Sequence, residues 1–555
     1  MIGVIADPAD QDVVREFFEL FKTPWEFYRE NRGYEVVLCA GDSELHGTGS
    51  VILCYSSKET SLDSAETVSL APCKRDFCML SYQGKRIPIY GESITFKRRD
   101  GGFLTDEGSG ESAAYLQQFE GRVLARVGYD LFREVRTLLK TGQPATNASI
   151  PTLERHITLL RDLIIGCGVP LKEIPPIPQG HSFIACLTHD VDHPSIRPHK
   201  WDHTAFGFLY RAVFGSLRNV LRGRLSFSNL IRNWVAALKL PLVHLHFAED
   251  FWRDFDDRYL ELETGLSSTF FVIPFKNCPG KIVDGAAPGF RAAHYDARDL
   301  ANTIEKLQTS GHEIALHGID AWLDSSKGAE EIAEIRRLTG TSEIGTRMHW
   351  LYYDELSPKV LEQAGASYDS TVGYNETVGY RAGTSQVYRP PEASRLLELP
   401  MHVMDTALFY PAHLDLSAND AKARLNGLLD NVVQYGGCLT VNWHDRSLAP
   451  ERLWGNSYRD LVHEMKARGA WFANAGQAIA WFRKRRSVVF GEDSASQGVP
   501  PTRGAARSDD GIPGLRLRVY KAGRVGDLGA RHAAEYVDFP VEEGLFVDMP
   551  SEIPQ

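Results

Sequence analysis

No two cysteines in this 555-residue chain are spaced Cys-x-x-Cys, and only eight occur at all: Cys39, Cys54, Cys73, Cys78, Cys167, Cys186, Cys278 and Cys438. That scatter excludes thiolate zinc sites and dithiol redox motifs, and leaves reduced, buried thiols as the expectation. No uninterrupted apolar run reaches ~18 residues, so no membrane-spanning helix is expected. The opening Met1-Ile2-Gly3-Val4-Ile5-Ala6-Asp7 has neither the basic nor the long apolar region of a secretory signal, which makes a cytoplasmic protein the expectation. Positive charge is also in short supply. The formal net charge is -11, which argues against a general affinity for nucleic acid. What remains, 43% hydrophobic and 24% charged residues, is the composition of an ordinary globular protein.

Length suggests roughly two to four domains. Residues 1–150 read as a separate α/β domain, with short apolar strands at Ile2 to Ile5, Glu35 to Cys39 and Val51 to Cys54. A helix is expected from about Ala113 to Leu139, on the spacing of Leu116, Phe119, Val123, Leu124 and Val127. Residues 151–180 read as a helix followed by the connector Ile174-Pro175-Pro176-Ile177-Pro178, a good boundary. From 181 to 486 apolar strands alternate with helices, the pattern of a parallel sheet or barrel. Residues 487–555 read as a Ser/Gly/Pro-rich linker and a small β extension.

Within 195–248 eight basic residues face the single acid Asp202, interleaved with Phe206, Tyr210, Phe214 and Leu217. This stretch is either a helical hairpin with solvated arginines or a basic amphipathic surface for anionic lipid or a lipid-linked sugar.

The chemistry sits at four strand ends. Phe183 to Leu187 runs apolar and the strand then delivers His189, Asp190, Asp192 and His193; Ala315-Leu316-His317, Thr346-Arg347-Met348-His349 and Val441-Asn442-Trp443-His444 follow. A core strand tolerates one polar terminus; four loaded with Asp, His and Arg read as a site built where parallel strands end. Residues i and i+2 share one side of a strand, so Asp190 and Asp192 can face the same mouth.

The order of these segments resembles the NodB-type polysaccharide deacetylases, carbohydrate esterase family 4. Thr188-His189-Asp190-Val191-Asp192 is similar to that family's Thr-Phe-Asp-Asp segment. Gly311-His312-Glu313-Ile314-Ala315-Leu316-His317 resembles its Gly-His-Glu-Ile-x-x-His stretch, and Arg347-Met348-His349-Trp350 and Trp443-His444 stand where later motifs fall. The resemblance covers about 181–486. It implies a distorted (β/α)7 barrel preceded by a smaller α/β domain, a divalent metal such as Zn2+, and removal of an acetyl group from a carbohydrate substrate. It further implies Asp190 as general base, Arg347 as its partner and His444 as general acid, with Asp405 as a candidate to orient His444. Asp192 and His317 become metal ligands. The family's second histidine falls on Ala321, so the third ligand stays open between His349, Asp320, His193 and water. A degenerate deacetylase-like carbohydrate binder and an amidohydrolase acting on a small nitrogenous substrate are the alternatives. Oligomeric state is not legible.

Overall fold

The computed structural model describes residues 1–41, 49–61, 63, 68–69, 77–97, 101–119, 121–490, 511–523 and 534–541; Cys73 and most of the Ser/Gly/Pro-rich stretch after Ser494 lie outside them. The chain divides into two compact units, one of Met1–Gly180, Ala382–Thr384 and Ala480–Gln555, the other of His181–Arg381 and Ser385–Ile479. The connector and the C-terminal strands thus belong with the first unit. There Leu171–Glu173 pairs antiparallel with Leu515–Tyr520, which pairs with Tyr536–Val541.

The first unit is built on a mixed sheet. Trp25–Phe27, Ile2–Ile5, Val36–Ala40, Val51–Tyr55 and Arg122–Val127 are mutually parallel, and the sheet continues antiparallel through Ser112–Phe119. The helix expected from Ala113 to Leu139 is therefore wrong over most of its length; only Leu131–Lys140 is helical. Gly121, at φ 76°, is the reason: it turns the chain between two paired strands, and spacing that mimics a helix becomes a hairpin. Six of the described cysteines are buried and Cys278 is exposed, a departure from the all-buried expectation.

The second unit carries the site. Its parallel strands are β1 (Phe183–Val191), β2 (Thr269–Val272), β3 (Glu313–Gly318), β4 (Thr346–Met348), β5 (Val403–Met404) and β6 (Cys438–Asn442). Their order is β4-β3-β2-β1-β6-β5. The remaining gap is closed by main chain. Ser370 N–H bonds to Thr346 O at 2.9 Å, Leu399 N–H to Asp369 O at 2.8 Å, and Met401 N–H to Val372 O at 2.9 Å. Parallel bridges Thr346↔Asp369 and Asp369↔Glu398 join the same segments. The ring is thus a distorted seven-stranded parallel barrel, with 368–372 as its most irregular stave. β7 (Ala470–Ala473) lies along the start of β1, which pairs with β2 only beyond Thr188.

Alternation along β1 sorts its side chains. Phe183, Ala185, Leu187 and Val191 join the apolar cluster that includes Phe270, Leu316 and Val441, each large aliphatic burial contributing roughly 1.5–3 kcal/mol. Thr188 and Asp190 take the other side, against Arg347 and Asn442. After β1 the chain makes a helical excursion: α1 (His203–Tyr210), a π-helical turn (Arg211–Gly215), α2 (Ser216–Leu221) and α3 (Phe227–His244). Asp202 and Ser226 cap α1 and α3 through their side chains.

Candidate metal and hydrolytic site

The C-terminal ends of β1, β3 and β4 bring Asp192, His317 and His349 together. His317 Nε2 lies 3.3 Å from Asp192 Oδ1, His349 Nδ1 lies 3.4 Å from it, and the two nitrogens are 3.1 Å apart. Each ring has already committed its other nitrogen. His317 Nδ1–H donates to the Arg347 carbonyl at 3.0 Å and His349 Nε2–H to the Arg291 carbonyl at 3.0 Å. Two imidazole lone pairs and a carboxylate oxygen therefore converge on one point. Asp192 Oδ1 is buried with no hydrogen-bond partner. Such a trio is repulsive until a cation sits among it. Ligands ~2.05 Å from one ion at tetrahedral angles stand about 3.3 Å apart, which is the spacing found. The donor set fits a divalent metal, and carbonyl acceptors behind metal-binding histidines are the usual means of fixing the tautomer. Burial opposes charge on Asp192; where His349 or His317 is protonated instead of facing a cation, the imidazolium outweighs burial and holds the carboxyl well below the ordinary range. Burial lowers His349.

Asp190 lies beside this trio, its Oδ2 3.9 Å from His317 Nε2. Arg347 Nη1 donates to Asp190 Oδ1 at 3.0 Å and Asn442 Nδ2 to Oδ2 at 2.7 Å. Arg347 is itself fully buried, donating also to Thr188 Oγ1, Ser370 O and Ser370 Oγ, with its guanidinium 4.3 Å above the Phe271 ring. Desolvation would raise the Asp190 carboxyl; Arg347, His317 and His444 reverse the sign and keep it ionised.

His444 faces the trio from the end of β6, Nε2 3.7 Å from Asp192 Oδ2. Its Nδ1–H donates to Asp405 Oδ1 at 2.6 Å and its backbone N–H to Asp405 Oδ2 at 2.8 Å. Burial would lower His444, yet Asp405 and the two neighbouring aspartates raise it to about 9. Asp405 is in turn held by Ser447 Oγ, which also accepts from Arg452. Asp405 as orienter of His444 is thus matched by contact.

The competitors for the third position stand elsewhere. Asp320 Oδ1 accepts from Lys281 N–H at 2.7 Å, and His193 Nδ1 is 3.2 Å from His199 Nε2. His189 points away from the site, bonding Glu263 and the Trp443 carbonyl. A second group, His199, Asp202 and His294, is internally occupied: Asp202 accepts from His199 at 2.6 Å while capping α1. Two contributors carry no motif in the sequence: Asn442 and Arg291. Asn442 sits at the tip of a strand already flagged, and that position was its only signal.

No family model matches the sequence, and no curated protein does. Solved structures match the barrel-bearing part. The likeness is to polysaccharide deacetylases. A protein from Mycobacterium smegmatis assigned to that activity is 20% identical, with 57% of this chain and 96% of that one covered at a TM-score of 0.36. One from Pseudomonas aeruginosa is 16% identical, covering 58% and 97%, with a TM-score of 0.36. A family 4 acetyl xylan esterase from Clostridium thermocellum, solved with a cobalt ion, is 12% identical, covering 54% and 90%, with a TM-score of 0.25. The seven-stranded ring stands on its own hydrogen bonds.

Proposed function

We propose that the barrel is a metal-dependent hydrolase that removes an acetyl group from an N- or O-acetylated sugar of a polysaccharide or glycan precursor. The observation that carries this reading is the convergence of Asp192 Oδ1, His317 Nε2 and His349 Nδ1 within 3.4 Å of one another, flanked by Asp190 and His444. Asp192, His317 and His349 would hold a divalent ion, and two imidazoles with one carboxylate suit Zn2+ among others. Such an ion, when bound, polarises the acetyl carbonyl and lowers the pKa of water.

The chain's own residues supply the proton traffic. Asp190, kept ionised by Arg347 and Asn442, accepts the proton of the attacking water. His444 stays protonated because Asp405 holds its Nδ1–H, so Nε2–H is available to the departing sugar nitrogen or oxygen. Base and acid address the reacting carbon from β1 and β6, which pair directly. Arg347 aims Asp190 without touching substrate.

The test is acetate release from a panel of N- and O-acetylated saccharides by the full chain, with metal content measured on the same sample. One bound ion, activity lost to chelator and restored by Zn2+, and loss of turnover in Asp190→Asn with the ion retained are the expected results. A bound ion and saccharide affinity without acetate release would favour the carbohydrate-binding alternative; acetamide cleavage confined to cyclic amides would favour the amidohydrolase. Absence of any ion under saturating Zn2+ would overturn the metal reading.

A further inference from the structure

We propose that the excursion α1–α3 is a docking surface for an anionic lipid bilayer, lying in the headgroup plane. It is a surface whose ligand the site chemistry leaves unexplained, and the proposal does not depend on the hydrolase reading.

The hairpin is apolar twice over. Inward, Phe208, Leu240, Val243 and Trp252 form a small buried core of their own. Outward, Phe206, Tyr210, Phe214, Leu217 and Leu221 recur at helical spacing along α1 and α2, every one exposed. On α3 and just past it, Ile231, Trp234, Val235, Leu238, Leu242 and Leu245 do the same. Leu221 on α2 and Leu238 on α3 are 80% and 79% exposed, so each stripe carries a large aliphatic almost wholly in solvent. Trp234 Nε1–H donates to the Val213 carbonyl at 3.3 Å, and Asn233 Nδ2 to Ser216 Oγ at 2.7 Å. These bonds tie the middle of one stripe to the turn bearing Phe214 of the other. Trp201, before α1, is 86% exposed and Phe247, after α3, is 81% exposed; an exposed Trp is the kind of residue enriched at a membrane interface.

Charge decides the occupant. Between 195 and 248 eight Lys and Arg side chains face one acid, an excess of seven positive charges in a chain whose net charge is -11. Arg222 and Arg224 share Asp415, and Arg211 pairs with Glu451. Lys200, Arg218, Arg232 and Lys239 are exposed and make no ion pair among the described residues. A second copy seated on this face would bring two positively charged surfaces together, which costs association energy. A lipid surface carrying negative headgroups offers both the apolar medium and the counter-charge. No described helix is long and apolar enough to cross a membrane, so the mode is lying on the bilayer.

The experiment is flotation of the full chain with vesicles of phosphatidylcholine alone and with phosphatidylglycerol added, at low and high salt, alongside light scattering for mass. The chain is expected to float with the anionic vesicles, less so at high salt. The combined variant Arg218→Glu/Arg232→Glu/Lys239→Glu should weaken binding by roughly 100-fold or more, at about fivefold per near-surface charge. Leu221→Asp/Leu238→Asp should abolish it, with an unchanged thermal midpoint because both sites are exposed. No flotation with either vesicle overturns the proposal. So does equal flotation regardless of lipid charge, or a dimer that the apolar variant converts to monomer without any vesicle binding.

Discussion

Replacing Asp405 by asparagine should move the alkaline limit of turnover more than any other single change. In the native barrel the Asp405 carboxylate accepts the His444 Nδ1–H at 2.6 Å and is the largest influence holding that imidazole at about 9 against burial. Without the charge, burial is opposed only by Asp192 and Asp190, and the group is expected to fall toward its ordinary value of 6.5. A drop of about 2.5 units is worth about 3 kcal/mol, since each unit is ~1.4 kcal/mol. At about pH 8 the protonated fraction then falls from roughly nine-tenths to about 3%, so acetate release should drop about 30-fold; near pH 5.5 the two enzymes should differ little on this account. Stability follows with a definite sign. His444 is raised above its unfolded value, so its contribution is complete below about 6.5 and is lost as pH climbs through about 9. The melting-temperature gap between native and Asp405→Asn protein should therefore be widest in mild acid and close above about pH 9. The assay is a kcat/KM profile from about pH 5 to 10 paired with thermal melts. An alkaline limb that stays at about 9 in Asp405→Asn, or a gap indifferent to pH, refutes the role given to this pair.

Arg347→Met strands Asp190 as a buried, poorly compensated charge; a denaturant midpoint corresponding to about 3–5 kcal/mol less stability is expected. Adding Asp190→Asn should restore most of that stability and none of the activity, which separates the ion pair's structural cost from its catalytic purpose. Gly345→Ala would place a Cβ 1.9 Å from Cζ of the buried Tyr368 ring, so a loss of about 1–3 kcal/mol or more in urea melts is expected.

The strand ends were legible because parallel strands read as apolar runs, and polar residues clustered at their tips have no packing reason to be there. Asp190, Asp192, His317, Arg347, His349 and His444 all announce themselves that way, and all meet. The stave 368–372 does not, since its pairing rests on a few backbone bonds and isolated bridges, with no apolar run to mark it. Arg291 was illegible for another reason: its carbonyl acts through a hydrogen bond to His349, 58 positions away in sequence. The hairpin of 112–127 hides behind apolar spacing that imitates a helix, and Gly121 is the residue that marks its turn.

Both imidazoles of the trio are oriented by peptide oxygens, those of Arg347 and Arg291. Every amino acid carries such an oxygen, so no point replacement can delete either brace. A descendant of this chain could lose Asp190 and still keep its grip on the geometry of the two imidazoles. Loosening that grip would require the backbone itself to move, and the consecutive left-handed residues Trp350 (φ 62°) and Leu351 (φ 54°), directly behind His349, are the place where such a shift would start.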